Sequence, residues 1–341
     1  SGNPNVISVI FCAEYLRKMW RFLVIVIKYG VSETEDEEER TMEMKLRQAK
    51  GNTWYLEDWQ LIPLYRTDPR HCILIDSGDL TQRDSIWRTL EANGIRPVGI
   101  LGTHVHTDHS VNRGFLKEKY QIPLALPAGE AAICASSTML KAYYYMVTEG
   151  QIHAFEDYSN MLVNTDYSIP AGEETVTFCG VDFQILRTPG HSPDHISVIT
   201  PDNVLCTGDA LFSSDYLEKS KLPYFFSLQT AIDSMQALKR QKPACCIMAH
   251  CGVTEALLPV IEDNIRSIDT WAQRILALAE QPLTVSEYIA AVCKEYSLLS
   301  SRLFKTTLYE RNIRVYIEYL TDSGQLTEYG EQGITCYVKA R

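Results

Sequence analysis

A chain of 341 residues with 45% apolar and 22% charged content has material for a globular protein of two domains. Its formal net charge of −11 disfavours a nucleic-acid or anionic-membrane partner, since either would meet a surface of its own sign. Ten cysteines without a C-x-x-C pair or a disulfide-dense segment point to a reducing, cytoplasmic compartment, with most thiols serving as small apolar side chains.

Residues 1–44 form an atypical N-terminal extension. Its apolar stretch is broken by Arg17, Lys18, Arg21 and Lys28. Its longest uninterrupted run, 22–27, is far below the ~20 residues that span a bilayer, so stable membrane insertion is not expected. Glu37-Glu38-Glu39-Arg40 can be encoded entirely by purines and lies just before Met42 and Met44. It reads as a translated ribosome-binding site, which makes the protein bacterial and puts this extension upstream of the native start.

From Gly51 the pattern becomes regular. Residues 54–65 and 71–75 read as strands, with Thr67-Asp68-Pro69 between them as a turn. Thr81 with Asp84 reads as a helix cap, and Ile86, Leu90 and Gly94 give a helix with a stop. A strand over 97–101, a helix over 112–120 and a short strand at 124–126 follow. Tyr143-Tyr144-Tyr145 lies in a helical stretch that reads as core packing or as a pocket wall, and the first reading is preferred. His153 reads as a surface residue. Two strands flank Gly180, two more cover 196–200 and 203–206, and a helix over 227–240 leads to a strand at 244–248.

Four of these strands run into a glycine-bearing turn that carries His or Asp. The first gives His104-Val105-His106-Thr107-Asp108-His109. In extended backbone His104, His106 and Asp108 share one face, and His109 joins them only if the chain turns into a helix at Asp108. Such a turn divides the motif into His104 with His106 and Asp108 with His109, one pair for each of two metals. The other turns carry His191 in Pro-Gly-His-Ser, Asp209 in Thr-Gly-Asp and His250 in Ala-His-Cys-Gly. Imidazole and carboxylate together suit zinc, iron or manganese. His195 is left between a supporting and a substrate-contacting role. Cys251 reads as a buried small residue, not a thiol ligand.

With Asp76-Ser77-Gly78, these motifs resemble the metallo-β-lactamase-fold hydrolase superfamily, in the family's order over roughly residues 50–255. The resemblance implies a four-layer αββα sandwich with two divalent ions, zinc favoured, at one edge. It implies that His104, His106 and His191 hold one ion and that Asp108, His109 and His250 hold the other. Asp209 bridges the two, and Asp76 orients a ligand. It further implies a bridging hydroxide that attacks an electrophilic carbonyl or phosphorus, with Asp108 as ligand and orienter.

Residues 256–281 read as a connecting helix after a catalytic domain at 45–255. Helix, helix and hairpin over 282–341 resemble a winged helix, but its seven Lys and Arg are matched by seven Asp and Glu. A nucleic-acid reader would be basic. A packing, dimerising or pocket-closing role is therefore preferred, with homodimerisation left open. Arg311 and Arg314 are expected to be dispensable for turnover of a small substrate. The preferred function is hydrolysis of a small-molecule ester, thioester or lactone. A nuclease, a mono-iron sulfur dioxygenase and a non-catalytic metal-binding sensor remain as alternatives.

Overall fold

The computed structural model describes residues 44–250 and 252–340, all within one unit, Glu43–Arg341. The expectations for residues 1–43 and for Cys251 lie outside the described residues. Two β-sheets dominate. The first holds seven strands in sequence order: β1 (Lys45–Lys50), β2 (Thr53–Glu57), β3 (Ile62–Asp68), β4 (His71–Ile75), β5 (Arg96–Leu101), β6 (Leu124–Pro127) and β7 (Tyr167–Ile169). The second runs β13-β12-β11-β10-β9-β8, from β8 (Thr175–Phe178), β9 (Val181–Arg187), β10 (Ile196–Ile199), β11 (Val204–Cys206), β12 (Cys245–Met248) and β13 (Gly252–Thr254).

Strand periodicity explains the layering. Ile73 and Ile75 of β4 point into a core shared with Phe183, Ile185, Ile196 and Val198 of the second sheet. Their neighbours Cys72 and Leu74 point the other way, onto Ile86 and Leu90 of the Arg83–Ala92 helix and Leu116 of the Arg113–Tyr120 helix. On the far side of the second sheet, Leu205 and Cys246 meet the Leu228–Leu238 and Leu257–Leu276 helices. The result is helix, sheet, sheet, helix, the expected αββα sandwich. In the C-terminal part a third sheet joins β14 (Leu283–Thr284), which precedes the helices Val285–Glu295 and Leu303–Asp322, to β16 (Ile334–Lys339) and β15 (Leu326–Glu331), which follow them. Tyr288, Tyr316 and Ile317 there extend the core of the outer helical layer.

Two local expectations change, and one strand, β1, was not anticipated. The strand expected over 54–65 is two antiparallel strands, paired Thr53 to Tyr65, with a loop between them that brings Gln60 Nε2 within 3.0 Å of His109 Nε2. The polar strand β1 has no apolar alternation because it is an exposed edge strand. The cap near Thr81 is Asp79, which accepts from the Thr81 amide in a capping box with Gln82. Among the described residues no helix is long and apolar enough to cross a membrane.

Candidate metal centre

Parallel pairing sets the position of the site. β4 and β5 run side by side with Ile75 opposite Leu101, so Asp76 and the His104 loop leave the first sheet at one edge. β11 and β12 are parallel too, and they deliver Asp209 and His250 from their C-terminal ends. Backbone strain marks two of these exits. Asp76 has φ 68°, in the left-handed region that side chains avoid. Gly208 has φ 51°, and a Cβ there would lie 2.7 Å from Thr103 Oγ1 and 2.8 Å from His195 Nε2. The two ligand loops can approach only with glycine at that position.

The seven donors expected from the sequence converge in two groups. His104, His106 and His191 offer ligand atoms within 4.8 Å of one another, as do Asp108, His109, Asp209 and His250. The helix Thr107–Ser110, which starts after His106, turns His109 back toward the site. Asp209 reaches both groups: its Oδ2 lies 3.3 Å from His191 Nε2 and 3.1 Å from His250 Nε2, and its Oδ1 lies 3.2 Å from His109 Nε2. Asp108 Oδ2 lies 3.3 Å from His250 Nε2.

Outer hydrogen bonds fix which ring nitrogen faces inward. Thr103 Oγ1 spends its only proton on Asp76 Oδ2, at 2.7 Å, so it accepts from His104 Nδ1–H at 3.0 Å. His104 Nε2 then carries a lone pair, and it is buried without a hydrogen-bond partner. His191 Nδ1–H donates to the Tyr224 carbonyl at 3.0 Å, and His109 Nδ1–H donates to Asp76 Oδ2 at 2.8 Å. His106 Nε2 sits 2.6 Å from the Tyr143 hydroxyl. Its Nδ1 is 2.7 Å from His191 Nε2, a separation that two bare lone pairs cannot hold without a shared proton or a shared cation. With a cation the inward nitrogens are His104 Nε2, His106 Nδ1 and His191 Nε2. This fits a metal: three inward imidazole nitrogens converge, that of His104 with no hydrogen-bond partner, and each ring is oriented by a partner behind it.

Electrostatics separate the two groups. Burial, with further contributions from neighbouring rings, holds His104 and His106 well below the usual imidazole value, and burial also lowers His191. These are neutral rings, the ligating form. Around Asp209 the balance reverses. Burial opposes charge on His109, but Asp209, Asp108 and Asp76 outweigh it and raise the ring to about 10. His250 is raised well above its usual value against the same burial, by Asp209 and Asp108. A cation bound there would take the place of those protons.

Several contributors carry no local sequence signal. Glu130 is buried and accepts from the Val105 amide at 3.1 Å, the Ser192 hydroxyl at 2.6 Å and the Asp194 amide at 3.0 Å, so it ties the first histidine loop to the His191 loop. His195 is fully buried and its Nε2 accepts from the Asp209 amide at 3.2 Å, which makes it a supporting residue. His153 lies on the surface as expected. The three tyrosines divide: Tyr143 and Tyr144 are buried in the core beside His106, as the preferred reading has it, Tyr144 also borders the cavity over the donors, and Tyr145 is exposed. A cavity of about 330 Å³ opens over the donors, walled by Tyr144, Tyr158, Tyr216 and Tyr224 and by Phe304, Leu308 and Arg311 of the C-terminal helix. Arg311, expected to be dispensable for turnover, is thus one of the residues that line this cavity.

Residues 62–250, more than half of the chain, match the metallo-beta-lactamase superfamily. A hydroxyacylglutathione hydrolase of Idiomarina loihiensis is 30% identical over 146 residues, 43% of this chain and 44% of that protein. Another, from Enterobacter sp., is 24% identical over 238 residues, 68% of this chain and 78% of that protein. The chain spans 44% and 66% of the first two curated relatives it matches. A beta-lactamase domain protein from Burkholderia ambifaria superposes with TM-score 0.66 at 17% identity, over 87% of this chain and 94% of that one. A metallo-beta-lactamase family protein from Thermus thermophilus does so with TM-score 0.61 at 18% identity, over 87% and 98%. These likenesses show the fold. The family match runs from β3 to the turn of His250 and takes in every donor of both groups, so the chain belongs to the metallo-β-lactamase superfamily.

Proposed function

We propose that the protein is a dinuclear metallohydrolase, with zinc as the metal, that cleaves a small-molecule thioester or a related ester or lactone. The observation that carries this is the shared carboxylate: Asp209 lies within 3.3 Å of nitrogens from both donor groups, as a bridging ligand would. His104, His106 and His191 would hold one ion, Asp108, His109 and His250 the other. Two such ions supply an acidified water, with pKa near ~7, and a Lewis acid for a carbonyl oxygen. The chain does the rest. Asp76 holds His109 by its Nδ1 and the Thr103 amide at 2.7 Å, which fixes the first loop. Asp108 presents a carboxylate oxygen to the cavity, where it can orient a nucleophile and accept its proton. Tyr144, Tyr158, Tyr216 and Tyr224 form an aromatic wall on the substrate side.

Thioesters are favoured among carbonyl substrates because the hydroxyacylglutathione hydrolases are named for such a bond and match over 68% of this chain at best among the two cited. A cytoplasmic setting belongs to the same proposal and is supported by eight unpaired cysteines among the described residues. The C-terminal helices are proposed to close the pocket, in a winged-helix-like unit over 282–341. The test is elemental analysis of metal-replete protein followed by a panel of thioesters, lactones and phosphodiesters. Two zinc ions per chain and turnover of thioesters are expected. One iron per chain, or cleavage confined to phosphodiesters, would overturn the reading.

A further inference from the structure

Arg311 is out of place for a structural cation. It projects from the Leu303–Asp322 helix and is only 6% exposed. Among the described residues it has no carboxylate partner. Its hydrogen bond is a long one, from Nη2 to the Tyr143 carbonyl at 3.4 Å, and its Nε is buried with no acceptor at all. Around it stand the rings of Tyr144 at 4.8 Å, Tyr224 at 5.2 Å, Tyr143 at 5.3 Å and Tyr145 at 5.9 Å. Cation–π contacts offset part of the cost of removing a guanidinium from water, but buried arginines ordinarily meet an anion as well. This one borders the cavity over the donors, and no other Lys or Arg lines that cavity among the described residues.

Its place in the cavity is specific. Tyr143 and Tyr224 each touch both Arg311 and His106: the His106 ring lies 6.0 Å from Tyr143 and 5.4 Å from Tyr224. One aromatic ring therefore separates the guanidinium from the first donor group. A small molecule with its scissile carbonyl at the donors would lay a group a few bonds away against Arg311. We infer that Arg311 is the anchor for a carboxylate or phosphate carried by the substrate, which makes the substrate class an anionic small-molecule thioester or ester. The inference rests on the hydrolase reading above. Guanidinium suits the role because its planar fork pairs two oxygens at once, and the tyrosine cage holds that fork in one orientation.

The experiment uses matched pairs: a short thioester ending in a carboxylate and the same thioester ending in a primary amide, with the corresponding thioethers, which cannot be hydrolysed, as binding probes. Wild type should favour the carboxylate of each pair, in kcat/KM for thioesters and in Kd for thioethers. Arg311→Gln should shrink that preference by about 10- to 100-fold, the range for a charge-assisted hydrogen bond. Arg311→Lys should restore only part of it. Melting temperature is followed in parallel. A cation that merely clamps the C-terminal helix would lower it and leave the preference unchanged, and that outcome overturns the inference. So does a wild type indifferent to the charge. If no thioester turns over but the carboxylate thioether still binds through Arg311, the thioester reading fails and the anchor stands.

Discussion

Oδ2 of Asp209 lies 3.3 Å from Nε2 of His191, although the two residues leave the second sheet on different loops. The same oxygen is 3.1 Å from His250 Nε2. One carboxylate thus reaches nitrogens of both donor groups, so its removal should disturb both, while loss of a single ring of one group should disturb one. Asp209→Ala is expected to lower metal content below one ion per chain, while His250→Ala should retain about one. Elemental analysis on folded, gel-filtered protein checks both. Two ions per chain in Asp209→Ala would remove Asp209 from the bridging position.

Tyr143 should matter to metal before it matters to substrate. Burial keeps its hydroxyl well above the usual phenol value, so it stays protonated and remains a neutral partner for His106 Nε2. When His106 Nδ1 faces a cation, the proton sits on Nε2 and the tyrosine oxygen accepts it. Tyr143→Phe removes that acceptor and keeps the ring. Loss of such an outer partner typically costs 10- to 100-fold in metal affinity, roughly. Competition with a chromophoric chelator measures it. Unchanged affinity would leave Tyr143 as a core residue alone.

Glu130 predicts a pH dependence of stability. Burial raises its carboxyl from 4.5 to about 7, against the lowering effect of Ser192 and Asp194. A folded value above the unfolded one means that the native state holds the extra proton. The contribution is present below pH ~4.5 and is lost as pH rises through about 7. The shift corresponds to roughly 3 kcal/mol at most. Wild type should therefore lose stability in urea from pH 5 to 8 relative to Glu130→Gln, which cannot titrate. Parallel pH profiles for the two proteins would contradict the assignment.

The donor set was legible because each ligand follows an apolar strand and sits in a turn that needs glycine, and four such turns in family order are hard to produce by chance. The turn that splits His104–His106 from Asp108–His109 also followed from strand alternation alone. What supports the donors was not legible. Glu130 contacts a loop 25 residues before it and another more than 60 after it. Arg311 meets Tyr143 across 168 residues. Neither has a periodic neighbour to mark it, and the balanced charge of residues 282–341 gave no sign that Arg311 lines the cavity. The break between β2 and β3 did leave a mark, the polar Glu57-Asp58-Trp59-Gln60, but the apolar residues on either side of it read as one continuous strand.

The central claim, hydrolysis at a two-ion centre, is tested most directly at Asp108. Asp108→Asn keeps the shape but removes the charge that faces His250 at 3.3 Å and the oxygen that accepts a proton. The sandwich core does not depend on these atoms, so circular dichroism and melting should match wild type. With a thioester that the wild type hydrolyses, kcat of the zinc-loaded variant should fall by at least ~10²-fold, the lower range for lost acid–base help, and KM should move far less. If Asp108→Asn keeps more than about a tenth of wild-type kcat with two ions bound, Asp108 does not have this role and the account of the centre is wrong.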